Sequence, residues 1–154
     1  MIGRMVMASD TSDANTGAGT EMLLTAAAGA VFILERAAIS QTSQSTSEQA
    51  EASIRKFAIG STGGDAVVEV TSDSTATIST VVTIEGTIAI TEGSSTENVY
   101  YRQGWNVLSG FLWTPASDDE GILADLAGTI DIAIPTTQTS LTWDVSVTFR
   151  EFGT

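Results

Sequence analysis

The chain has 154 residues, a mass of 16.0 kDa and six basic against nineteen acidic residues for a formal charge of −13, and it contains neither histidine nor cysteine. Its length fits one domain that buries about 68% of its extended-chain surface, enough for a core without staples. The composition excludes disulfides, an imidazole base, a thiolate nucleophile and an ordinary structural zinc site. It also disfavours bare nucleic acid, because phosphate contacts need clustered Lys and Arg and the sole lysine is Lys56.

At the N-terminus, Met1 to Ala8 reaches the polar Ser9-Asp10 before an apolar stretch long enough for a secretory signal has formed. Asp10 to Thr20 (DTSDANTGAGT) has no strand or helix periodicity, so residues 1–20 are expected to form a flexible arm ahead of a single domain over 21–154. Glu21 to Ala27 and Ala30 to Ser40 flank Gly29 and predict a first hairpin. Within it Val31, Phe32, Ile33 and Leu34 are apolar on both faces, which implies either cover on both sides or a subunit contact. Thr46 to Ala50, opened by the Ser45-x-x-Glu48 capping pattern, predicts one short helical turn before a strand that enters the Gly60 to Gly64 turn. Ala66 to Thr71 and Asn98 to Gln103 are short strands, with Glu92 to Glu97 as a turn. Ile78 to Thr91 is either one long strand bent at a Gly86 bulge or two short ones. Ile130, Ile132 and Ile134 alternate with Asp131 and Ala133, and Pro135 ends that run. Leu141 to Arg150 alternates cleanly, and with Thr136 to Ser140 between them these two runs read as a hairpin. No apolar run reaches the roughly 20 residues of a membrane helix. The fold expected is all-β: a single-domain antiparallel β-sandwich or jelly-roll-like domain of about eight strands.

Candidate sites are few. Asp118-Asp119-Glu120 concentrates carboxylates in one loop, a conceivable calcium site set against a solvated loop. Asp13-x-Asn15-x-Gly17 fails the calcium-loop pattern, since Leu24 stands where the bidentate Glu belongs. Two carboxylates could hydrolyse a glycoside, yet spacing selects no pair, and alternation reads Glu69, Glu85, Asp131 and Asp144 as outward-facing. Tyr100, Tyr101, Trp105, Phe111 and Trp113 crowd one window. Such aromatics form a core corner, a protein interface or a sugar-stacking platform, and strand pairing would send Tyr100 and Tyr101 to opposite faces.

Glu48 to Phe57, Gly104-Trp105-Asn106-Val107, Phe111-Leu112-Trp113-Thr114-Pro115 and the closing Phe149-Arg150-Glu151-Phe152-Gly153 together give a pattern that resembles small all-β phage virion proteins. The likeness covers most of the chain from Glu21 onward. In that group an aromatic-glycine corner precedes a turn of W-x-P or Y-x-P type, an acidic loop and a last strand ending in an acid and Gly. Trp113, Pro115, Asp118 to Glu120, Glu151 and Gly153 match it. The longer polar N-terminal arm and the Arg150-Glu151-Phe152 ending, where paired acids are usual, depart from it. The resemblance implies a capsid decoration or cement protein, made in the host cytoplasm and carried on the outer head surface. It implies a homo-oligomer, a trimer by preference, bound to the major capsid protein, with no cofactor, metal, catalysis, nucleic acid or membrane. Val31 to Leu34 and the aromatic window would supply the oligomer or capsid interface. A head-fibre, neck or tail component is the nearest alternative, and a carbohydrate-binding module using Trp105 and Trp113 is the next.

Overall fold

The computed structural model describes residues 3–11, 19–42, 47–71, 78–117, 120–125, 128–135 and 141–153. The strands are β1 (Arg4–Thr11), β2 (Gly19–Thr25), β3 (Ala30–Gln41), β4 (Gln49–Ile59), β5 (Thr62–Gly63), β6 (Asp65–Ala66), β7 (Glu69–Thr71), β8 (Val81–Ile84), β9 (Ile90–Thr91), β10 (Ser94–Asn106), β11 (Phe111–Trp113), β12 (Ile122–Ala124), β13 (Thr129–Ile134) and β14 (Trp143–Gly153). Among the described residues the domain is all-β and antiparallel, as alternation and β-branched content require. The count exceeds the expected eight because several edges are two- or three-residue pieces.

One sheet runs β11-β3-β14-β1-β7, with β12 also on β3, and the other runs β10-β4-β13-β2-β8-β6. Phe32, Leu34, Trp143, Val145, Val147 and Phe149 from the first meet Met22, Leu24, Ile54, Ile130 and Ile132 from the second, all effectively inaccessible. Phe32 and Phe149 pack edge to face at 5.4 Å, the arrangement that ring quadrupoles favour. A third, small layer, β5 paired with β9, is separate from both sheets.

Four expectations are corrected. Residues 4–11 are not part of a flexible arm: β1 lies between β14 and β7, with Val6 and Ala8 in the core. The remaining polar stretch, 12–18, with the failed calcium pattern, lies outside the described residues. No helical turn forms over Ser47 to Ala50, because β4 has begun by Gln49, where Trp105 and Asn106 pair with Ala50 and Gln49. Neither predicted hairpin exists. β2 and β3 lie in different sheets, as do β13 and β14, so each connection crosses the sandwich. At the first crossing Gly29 adopts φ 90°, a conformation disfavoured for side chains with a Cβ. Of the two readings of Ile78 to Thr91, that of two short strands holds, but the bulge does not. Gly86 sits in the bend between them, not in a ladder bulge.

Candidate functional site

Three edges of the sandwich are short: β6, β7 and the β11/β12 pair have two or three residues each. The fourth, β10, has 13 residues and, among the described residues, pairs on one side only, with β4. An edge that long presents a row of free backbone donors and acceptors, which other proteins usually shorten, cover or distort. Here the distortions are register shifts at Ser94/Glu97 and Val99/Tyr101. The second leaves Tyr100 as the extra residue, and a bulge re-aims its side chain. Tyr100 and Tyr101 therefore both line one groove, not opposite faces.

That groove, about 660 Å³, opens between the β10 edge and the β11/β12 edge of the facing sheet. Trp113, Pro115 and Leu123 supply apolar walls, and Lys56, Glu120 and Asp125 stand on the rim. Lys56 Nζ donates to Asp125 Oδ1 at 2.5 Å, and this contact holds the Asp125 carboxyl below the usual aspartate range. Tyr100 is 48% exposed, while Tyr101 leans on Phe111 and Trp113 at ring separations of 6.2 and 6.4 Å.

The aromatic window thus divides. Trp105 and Phe111 are buried against each other and Trp143, at 5.8 and 5.9 Å, so they belong to the protomer's own core. Trp113 is 8% exposed at the groove wall. With both tryptophans so covered, neither offers a free ring face for a sugar. Phe32 and Leu34 are likewise interior, whereas Val31 and Ile33 are half-buried on the outer face of β3. Of the residues singled out for an interface, Val31, Ile33, Tyr100, Tyr101 and the edge of Trp113 remain accessible.

A second polar cluster was invisible in the spacing. Asp131 and Arg55 are register partners on the outward side of β13 and β4, yet both are buried. Asp131 is not solvent-facing because Ser61 and Gly93, next to the β5/β9 layer, close over it. Asp131 Oδ2 accepts from the Thr20 hydroxyl at 2.8 Å and from the Ser61 hydroxyl, and Gly93 N–H donates to Ser61 Oγ at 2.8 Å. Arg55 donates to Thr20 Oγ1 at 3.1 Å and to Glu92, and pairs with Glu97 at 3.4 Å. Burial pushes the Asp131 carboxyl above its usual range, and the hydroxyls and Arg55 only partly offset it. Asp131 Oδ1 has no hydrogen-bond partner, which adds to the bias towards protonation. Ser61 is 3% exposed and has its oxygen engaged inside the cluster, so this arrangement clamps a layer and presents no nucleophile to a ligand.

Glu120 of the acidic loop is exposed on the groove rim, while Asp118 and Asp119 lie outside the described residues. Among the described residues, no three acids converge as metal ligands and no helix is long and apolar enough to cross a membrane. No protein family, curated protein or solved structure matches the chain.

Proposed function

We propose that the protein is a structural component of a phage head, a decoration or cement protein that binds the assembled shell as a homo-oligomer and makes or breaks no bond. The observation that carries the reading is the long exposed β10 edge beside an aromatic groove with an acidic rim, on a domain whose other polar cluster is sealed. A free edge takes up an extended segment of another chain by strand addition: backbone hydrogen bonds supply affinity, and alternate side-chain pockets supply specificity. Tyr100 gives such a segment a broad contact at low entropy cost.

The chain's formal charge of −13 keeps free copies soluble and mutually repelling, and it steers them towards a basic or mixed-charge coat surface. A ligand that binds the assembled shell in preference to its parts stabilises the shell by mass action, so affinity itself is the function. The test is to add purified protein to expanded, undecorated capsids and follow their melting. Binding with a raised shell melting temperature is expected. Failure to bind, with the melting temperature unchanged, would remove the proposal.

A further inference from the structure

The outward face of the β11-β3-β14-β1-β7 sheet differs from the rest of the molecule in charge. Along β1, β3 and β14 the residues between the buried ones point outward, and the register sets them side by side: Met7 pairs with Val70 and Thr148, Ile33 with Leu123 and Arg150, and Ala38 with Leu112 and Ser146. Met7, Val70, Leu112 and Leu123 are 50–56% exposed, and no described element lies over them. A shift between Thr148 and Phe149 leaves Glu35 as an extra residue beside Arg36, so both lie on this face. Among the described residues the face's charged side chains are then Glu35, Arg36, Asp144 and Arg150, two of each sign and a formal sum of zero, with Arg150 and Glu35 paired at 2.6 Å.

We infer that this face is where a second copy of the chain docks. On a molecule of charge −13 it is a broad surface that a like-charged copy can approach without local repulsion. Acids on the far sheet stand more than one Debye length away, about 8 Å at physiological salt, because the sheets alone are about 10 Å apart. The size is adequate. The strands β11, β12, β3, β14, β1 and β7, about 4.8 Å apart at about 3.4 Å per residue, together span roughly 650 Å², within the roughly 600–1,000 Å² each partner gives a standard interface. A basic coat patch would instead select the acidic groove side. Association and shell docking thus use different surfaces, which adjoin at Leu123. This inference names the contact behind the homo-oligomer proposed above and can be tested without any shell.

The experiment is sedimentation velocity on the purified full chain, on the double variant Met7→Glu/Leu112→Glu and on the polar-site variant Ser146→Glu/Thr148→Glu. Val81→Glu, at a 52% exposed position on β8 of the other sheet, is the control. Wild type and control should sediment as a multiple of 16.0 kDa, and both face variants as 16.0 kDa monomers with wild-type circular dichroism. The dissociation constant should rise about a hundredfold, the effect expected of a charge buried without a partner. Added salt should leave the oligomer intact while weakening shell binding. A monomeric wild type overturns the inference, and so do face variants that keep the wild-type mass. Face variants that keep their mass but lose shell binding would assign the face to the coat, which also overturns it. Loss of shell binding in an intact wild-type oligomer would remove the shell proposal and leave this one standing.

Discussion

Replacing Arg55 by Met tests the buried cluster beneath the β5/β9 layer. Arg55 has 7% of its side chain exposed, whereas Glu92 and Glu97 keep 38% and 34% and can be rehydrated, so Asp131 is left bearing most of the loss. Removing one partner of a buried pair destabilises by about 3–5 kcal/mol when the other stays charged. Asp131 can escape part of that by taking up a proton, since its carboxyl already sits above the usual range. An acid whose folded-state pKa is raised contributes its full stability below the unfolded value and loses it as pH rises through the folded value. The Arg55→Met penalty should therefore be small near pH 4 and grow to about 3 kcal/mol near pH 8, with a slope of at most about 1.4 kcal/mol per pH unit. Urea unfolding at several pH values, read as midpoints at constant slope, measures it. Asp131→Asn keeps an oxygen for the Thr20 and Ser61 hydroxyls, so the double variant should be less destabilised than the sum of the singles by about 1–3 kcal/mol. Additivity within about 0.5 kcal/mol, or a penalty independent of pH, would refute the electrostatic account.

Other consequences follow from the fold. Deleting residues 1–11 removes β1 from between β14 and β7 and should abolish cooperative thermal unfolding; a truncated chain that melts like the whole would contradict its place in the sheet. Phe149→Ala, at a fully buried site against Phe32, should cost about 3–5 kcal/mol in urea titrations. Gly63 has φ 96° with Ala89 O close to any added Cβ, so Gly63→Ala should cost about 1–2 kcal/mol and speed hydrogen exchange in the β5/β9 layer. Glu151 accepts from Ser79 N at 3.1 Å and Thr80 N at 2.6 Å, so Glu151→Gln should cost about 1–3 kcal/mol by denaturant midpoint, the amide nitrogen having nothing to offer those donors. Tyr100→Ala should leave stability within about 0.5 kcal/mol yet weaken shell binding by at least about fivefold, read by co-sedimentation.

Alternation made the inner faces legible. Trp143, Val145, Val147 and Phe149 are buried as their period of two requires, and so are Ile130, Ile132 and Ile134. Strand neighbours were not legible, because a period of two says which face is covered and nothing about which strand lies alongside. Gly29 and Thr136 to Ser140 look like hairpin turns, yet the strands on either side of each belong to opposite sheets. Burial of Asp131 was hidden for a different reason: its cover comes from residues 61 and 93, far along the chain. β1 was missed because Met5, Met7, Ser9 and Thr11 make its outer side mixed, while its inner side offers only Val6 and Ala8 as buried apolar anchors. The aromatic window showed where the site lies but not its division. The bulge at Tyr100 has no glycine or proline to announce it.

Hydrogen exchange of the β10 backbone, compared between the free protein and the protein seated on undecorated shells, probes the central claim most directly. Strand addition requires new protection of outward-facing amides between Val99 and Gly104, with the buried strands unchanged. Shell-bound protein whose β10 amides exchange as fast as in free solution would contradict it.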